Sequence, residues 1–365
     1  MITNSEQFFI MSASCRIVRG STRSLLIDYG RGKTYLFPND YYHLIQLLNR
    51  NRIREVEKNI FGDSKQFFLQ FLDTMLSLEI AFLTNEPEMF PEIRNEIEEP
   101  FLLNDAIIEI DESIFSPSRF NKIADSLDSH FCEDIQLRLL SPFNLELLCR
   151  CLDELSSRRF NYVEIHCSAY SGATPQPLLY LLENYATLTH IYIYGAQEVK
   201  VIEHSTKTPG NFPVSRGMVY FLNYEFNEGQ CCGMINFDNL DFSSANNHDR
   251  HIHSNGCLDK KVAIDKYGNI KNCPSLKNSY GNIEQVNLSD VLNMPEFLKY
   301  GRINKDQIRV CKDCEFRYNC SDCRAFLNDP EDLFSKPLKC GYDPYAGKWE
   351  EWSANPLKDS IAISL

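Results

Sequence analysis

Residues 310–326 read VCKDCEFRYNCSDCRAF, which places Cys311, Cys314, Cys320 and Cys323 in two Cys-x-x-Cys pairs within thirteen positions. Three chemistries use so tight an array of thiols: a disulfide knot, a zinc knuckle or an iron–sulfur site. Cys257 and Cys273 precede the array and Cys340 follows it, so seven of the chain's 14 cysteines lie between 257 and 340. The opening MITNSEQFFIMSASCRIVRG has only the short apolar run FFIM, far short of a signal-peptide core. No stretch approaches the ~18 apolar residues that cross a bilayer. The chain is therefore expected in the cytoplasm with no membrane partner, where thiols stay reduced and clustered cysteines bind metal more often than they pair. Spacing by itself leaves zinc and iron–sulfur both open.

The elements that must hold these thiols differ along the 365 residues. Residues 1–85 read as a β-then-α module: FFIMSASCRIVRG and SLLIDYGRGKTYLF are strand-like, and YYHLIQLLNR, IREVEKNIF and SKQFFLQFLDTMLSLEIAFL are helical, the last carrying Phe67, Phe71 and Met75 on one face. Three strands and three helices make a winged-helix-like unit; one strand is expected at a sheet edge, where an extended peptide would pair and place side chains between that strand and the helix of Phe67, Phe71 and Met75. Residues 86–100 hold six acids, three prolines and one arginine, the composition of a solvated linker. In 101–225 the runs DAIIEID, DIQLRLL, NYVEIHC and LTHIYIY start at 105, 134, 161 and 188 with helical patterns between them. That beat predicts parallel βα units in an open sheet or a partial barrel, since the span is too short for eight units. From 226 to 365 periodicity fades, and NEGQCCGMINFDNLDFSSANNHDRHIHSNGC suggests loops and short strands. A segment so poor in apolar core needs metal ligation to fold.

Charge limits the partners. Against 37 Lys and Arg stand 50 Asp and Glu, a formal net charge of -13. Such a field repels a phosphate backbone, so no nucleic acid is expected. Other motifs carry little: GRGK at 30–33 lacks the rest of a phosphate loop and reads as a hairpin turn, and Asp238 with Asp241 reads as a pair of solvated loop acids. Cys15, Cys132, Cys149, Cys151 and Cys167 fall in or beside strands and helices and read mostly as small buried hydrophobes.

The wider cysteine pattern is more specific. Cys257 is followed by ten residues, Gly268, four residues and Cys273; then come Cys311, Cys314, Cys320 and Cys323, and sixteen residues later Cys340. This resembles the SPASM domain, the auxiliary cluster-binding extension of radical SAM peptide-modifying enzymes, with AIDKYGNIKNCPS as its hairpin. The spacing before Cys323 is two residues where that family has three. The resemblance implies a [4Fe–4S] cluster, one or two per chain: Cys311, Cys314, Cys320 and Cys340 around the first, and Cys257, Cys273 and Cys323 at the second. His251, His253, Cys231 or Cys232 would be candidates for its remaining ligand. Zinc on the same thiolates is the alternative.

A radical SAM enzyme also needs a CxxxCxxC loop after its first barrel strand, and DAIIEID is followed by ESIFSPSRF, without a cysteine. SPASM cysteines without that triad resemble the SPASM-domain peptide maturases of grasp-with-spasm systems, on the segments CLDKKVAIDKYGNIKNCPSLKNSYGNI, KDQIRVCKDCEFRYNCSDCRAF and SKPLKCGYDPYAGKW. That likeness implies an α/β architecture of a PqqD-like module, a degenerate partial (β/α) radical SAM-like barrel and a loop-rich SPASM domain. It further implies a ribosomal precursor peptide and an ATP-grasp ligase as partners, and no reductive cleavage of SAM. The alternatives are a zinc-stabilised peptide-binding scaffold without catalysis and an iron–sulfur enzyme of another chemistry. No catalytic residue can be named from sequence.

Overall fold

A computed structural model of the chain describes residues 5–62, 64–92, 101–169, 174–207, 213–226 and 232–351. Two compact units emerge, each assembled from separate stretches: among the described residues, 5–62, 64–92, 235–256 and 303–351 form the first, and 101–169, 174–207, 213–226, 232–234 and 257–302 the second. Among the described residues no helix is long and apolar enough to cross a membrane.

In the first unit, strands β1 (Phe8–Met11), β2 (Cys15–Arg19), β3 (Ser24–Asp28) and β4 (Lys33–Phe37) precede helices α1 (Asn39–Leu48), α2 (Ile53–Glu57) and α3 (Ser64–Ser77) and strand β5 (Ala81–Thr84). FFIMSASCRIVRG is thus two strands rather than one run, and Ala81–Leu83, the end of the expected helix, lie in strand β5. The helix stops because Glu79 takes φ +56 and the Ile80 N–H turns back to the Met75 carbonyl. Released in this way, β5 pairs antiparallel with β1. The other side of β1 is met by the 49–54 segment, through Arg50 N–H to Phe9 O and Ile53 N–H to Gln7 O. The first strand is therefore no free edge. Phe71 and Met75, expected beside a peptide groove, are fully buried with Phe9, Tyr41 and Leu72. Strands β2, β3 and β4 form their own antiparallel sheet, with β4 at one edge.

The second unit is built on a mixed, mostly parallel eight-stranded sheet. Strands β6 (Asp105–Ile110), β7 (Asp134–Leu139), β8 (Tyr162–Ser168) and β9 (Leu188–Tyr194) begin within one residue of the runs read from sequence. Helices α4 (Pro117–Ser129), α5 (Leu145–Ser156) and α6 (Pro175–Asn184) connect them. Local chemistry starts two of these helices: Ser116 accepts the Arg119 N–H with Pro117 at the first helical position, and Asn144 accepts the Leu147 N–H. Strands β10 (Lys200–Lys207) and β11 (Pro213–Leu222) make a hairpin on one side; β12 (Lys261–Ile264) and β13 (Ile270–Lys271) make another on the other side, giving the order β10-β11-β9-β8-β7-β6-β12-β13. Among the described residues the outer strands β10 and β13 do not pair, so the sheet is open.

Side-chain alternation splits this sheet into two chemically different faces. Ile108, Ile110, Leu137, Leu139, Ile165, Cys167, Ile191 and Ile193 are buried in one cluster with Phe120, Leu127, Leu148, Leu152, Leu178 and Leu181 of the helices. Cys132, Cys151 and Cys167 belong to this cluster and behave as small apolar residues. The residues between them on β7, β8, β9 and β11, Gln136, Arg138, Glu164, His166, His190, Tyr192 and Tyr220, point to the other face.

The segment expected as loops and short strands contains a helix, Ala245–His253, back in the first unit. Ser244 caps it by accepting the Asn247 N–H. Its polar residues are drawn inward by distant partners: Arg16 of β2 grips Asp249 through Nε at 2.7 Å and Nη2 at 2.6 Å, and Tyr29 Oη lies 3.0 Å from His248 Nδ1. The pair Arg16–Asp249 is bidentate and nearly dry, the geometry in which an ion pair is strongest.

Candidate metal centre and the polar sheet face

Five of the seven array cysteines lie in the first unit; Cys311, Cys314 and Cys320 sit in or directly after short 3-10 turns, and Cys323 and Cys340 outside any helix or long strand. Cys311 opens the turn Cys311–Asp313, and the Cys314 N–H closes it on the Cys311 carbonyl at 3.0 Å. Cys320 follows the next turn, Arg317–Asn319. Cys340 sits where Ile235 makes an isolated parallel bridge to it, and Ile235 N–H donates to Lys339 O at 3.0 Å. Cys311, Cys320 and Cys323 are buried, whereas Cys314 and Cys340 are half-buried. All thirteen described cysteines are free thiols.

Burial pushes the Cys311 thiol up to about 12, with the charges of Cys320 and Cys340 adding to the shift and Lys305 opposing it. Cys314 and Cys340 are likewise raised, first by burial and then by neighbouring thiols, Cys320 among them in both cases. Each of the four therefore lies within electrostatic reach of others. The Phe316 N–H points at Cys314 Sγ at 3.4 Å, the kind of contact that stabilises a metal-bound thiolate sulfur. Even so, among the described residues no three His, Cys, Asp or Glu side chains are placed to hold a single metal ion. The donor chemistry, four free thiols, fits a thiolate-ligated group, whether zinc or iron–sulfur.

Cys257 and Cys273 lie in the second unit. Between them the β12–β13 hairpin turns through Gly268 at φ +88, where an added Cβ would come 3.1 Å from Arg119 Cδ. Burial pushes Cys273 up to about 12, followed by the charges of Cys232 and Cys257. Of the four candidates for an extra ligand, Cys232 is thus close to both. Cys231 lies outside the described residues. His253 is exposed on its helix, whereas His251 is buried and donates Nδ1–H to the Tyr318 carbonyl at 3.0 Å. That bond leaves Nε2 as the lone-pair nitrogen, the orientation a ligating histidine needs. Gly256 is required beside it: a Cβ there would stand 2.9 Å from both His251 Cε1 and Cys320 O.

The polar face of the eight-stranded sheet carries a second constellation. Arg138 Nε donates to Gln136 Oε1 at 2.6 Å, and Gln136 in turn donates to Glu164. Glu164 Oε1 accepts His166 Nε2–H at 3.0 Å, leaving His166 Nδ1 to accept the Tyr194 hydroxyl at 2.7 Å. Tyr192 stacks between His166 and Tyr220, at centroid distances of 4.6 and 4.9 Å. Burial works to raise the Glu164 pKa, but the hydrogen bonds from His166 and Gln136 hold it down at about 2. Because the folded value is depressed, the stabilisation is present at neutral pH and fades as pH falls from the ordinary carboxylate range towards 2. Glu164→Gln is therefore expected to lower stability at pH 7, with the gap to the unmodified protein narrowing below about pH 4.5. Urea unfolding at stepped pH measures it, and a gap that widens in acid would refute the assignment.

These residues carried no motif in the sequence. Their only signal was period-2 alternation, in which Gln136, Glu164, His166 and Tyr192 break otherwise apolar strands. Neither a protein-family model nor a curated protein matches the chain. It is similar to two solved structures of SuiB from Streptococcus suis, each at 10% sequence identity. One, bound to S-adenosylmethionine, has a TM-score of 0.37, with 90% of this chain and 99% of that chain covered. The other, bound to precursor peptide SuiA, has a TM-score of 0.34, with 87% and 96% covered.

Proposed function

We propose that the chain is an iron–sulfur protein that takes part in maturing a ribosomally made peptide, presenting a precursor to an ATP-grasp ligase without cleaving SAM. The observation that carries the metal half is the set Cys311, Cys314, Cys320 and Cys340: four free, buried or half-buried thiols within electrostatic reach of one another. Iron–sulfur is preferred to zinc because the wider pattern, with Cys257, Gly268, Cys273 and distant Cys340, resembles the SPASM domain. Cys257 and Cys273, with Cys232 near them, are proposed as thiols of a second centre. When bound, such a cluster supplies electron transfer or, at an open iron, Lewis acidity. The peptide half rests on the resemblance of the cysteine-bearing segments and on the βα rhythm.

Anaerobically purified protein tests the metal. Broad absorption near ~400 nm with iron and sulfide in matching amounts is expected. Colourless protein with stoichiometric zinc would replace this reading by the zinc-stabilised scaffold. Reduced, reconstituted protein should form no 5′-deoxyadenosine from SAM, and formation above a cluster-free control would overturn that part.

For the precursor, the edge of β4 is the place where an extended segment would add. Among the described residues no strand pairs with its outer side, and Leu36 is 48% exposed. Backbone pairing would supply affinity and alternate side chains selectivity. Leu36→Lys in the full-length chain is expected to weaken binding of a labelled leader by about tenfold, the effect of ~1.4 kcal/mol. An unchanged affinity by fluorescence anisotropy would remove β4 from the recognition site.

A further inference from the structure

Lys305 is an unusual residue to find inside a protein, being only 4% exposed. It opens the 3-10 turn Lys305–Gln307, held by a capping box between Asn304 and Gln307. Its ammonium donates to Asp322 Oδ1 at 2.7 Å and stands 4.0 Å from Cys311 Sγ. Asp322 cannot be its full counter-charge, because the same Oδ1 also accepts Arg324 Nη2 at 2.7 Å. The other oxygen of Asp322 accepts Asn255 Nδ2 at 2.5 Å. All three charged groups are buried, at 4, 3 and 2% exposure for Lys305, Asp322 and Arg324. Two cations against one carboxylate leave a net positive charge in a dry site. Glu315, a buried carboxylate close to Cys314, is already paired with Arg23 at 2.7 Å. An uncompensated buried cation is expensive. Neutral thiols would not offset it, whereas a cluster wrapped by four thiolates is anionic and would.

We infer that Lys305 is the counter-charge of the centre held by Cys311, Cys314, Cys320 and Cys340, and that its ammonium sets the reduction potential of that centre. The inference rests on the iron–sulfur reading above. Reduction adds negative charge to the cluster, so a fixed cation beside Cys311 favours the reduced form and raises the potential. Asp322 and Arg324 act as positioning residues that hold the lysine at the sulfur.

The test is a redox titration of anaerobically purified, iron-loaded full-length protein, followed by electron paramagnetic resonance on the signal that Cys311→Ser abolishes. In Lys305→Met the potential is expected to fall, with at least a tenfold loss in the ratio of reduced to oxidised cluster at fixed potential, about 59 mV for one electron. Lys305→Arg, which keeps the charge, should stay near the unmodified value. Lys312→Met, which removes an exposed charge next to Cys311 in the chain, should not shift it. An unchanged potential in Lys305→Met overturns the inference while the cluster reading stands, and protein without iron and sulfide overturns both. Should Lys305→Met fail to assemble a cluster, assembly in Lys305→Arg supports the charge role. Failure in both variants would mean that the fit of the side chain, not its charge, is what the site requires, and would overturn the inference.

Discussion

Cys311→Ser and Cys340→Ser are each expected to abolish metal loading at the first-unit centre and to remove most of the soluble protein. The region around these residues is held by turns and short strands: 3-10 turns at Lys305–Gln307, Cys311–Asp313 and Arg317–Asn319, and the two-residue strands Tyr342–Asp343 and Lys348–Trp349. Its apolar clusters are small, one built on Ile303, Ile308 and Cys311 and another including Phe316, Cys320 and Tyr342. Metal ligation supplies folding energy on the order of 10 kcal/mol in small structural zinc domains, and a core this thin has little to replace such a contribution. By contrast, Cys151→Ala or Cys167→Ala removes one small buried group from a large apolar cluster and should leave metal content unchanged. Metal analysis and soluble yield of the four variants side by side decide the matter. Full loading in Cys311→Ser or Cys340→Ser would remove those residues from the ligand set.

Phe71→Ala should destabilise the first unit by about 3–5 kcal/mol, the usual cost of emptying a buried phenylalanine site. Phe71 is 0% exposed and meets the Tyr41 ring edge-on at 5.0 Å and the Phe9 ring at 6.1 Å. Those partners sit on β1 and α1, so the cavity would open at the junction of three elements. The sequence pattern equally suited a groove in which Phe67, Phe71 and Met75 receive a peptide, and the two roles give opposite outcomes. A core residue loses stability in denaturant unfolding, whereas a groove residue loses leader binding at unchanged stability. Phe71→Ala that unfolds at the denaturant concentration of the unmodified protein would contradict the packing described here.

Much of the second unit was legible in the sequence because its signals are local. A buried strand needs a run of β-branched and apolar residues and a crossover helix needs 3.6-residue periodicity, so the four runs from 105 to 194 located β6 to β9. The β12–β13 hairpin was expected only through the resemblance carried by AIDKYGNIKNCPS; in the structure Gly268 carries its positive φ. Helix Ala245–His253 was not legible. Its sequence ANNHDRHIH has almost no apolar stripe, and its inward face is polar because Arg16 and Tyr29, more than 200 positions away, supply the partners. The end of α3 was hidden too, since Glu79 adopts a positive φ without the glycine that would have announced it.

By itself, then, the sequence determined which residue types could do chemistry: the seven spaced cysteines, the absence of a CxxxCxxC triad and the rhythm of the parallel sheet. Only the tertiary structure decided which of those residues meet. Cys232 came to Cys257 and Cys273, β5 closed the edge of β1, and Glu164, His166 and Tyr194 joined across two strands. It also decided that Lys305 lies buried beside Cys311. The physical reason is that periodicity and turn chemistry act over a few residues, whereas burial and charge pairing depend on groups that approach only after the chain has closed on itself. A lysine six positions before a cysteine is unremarkable in a sequence; its cost, and hence its meaning, exists only where water has been removed from both.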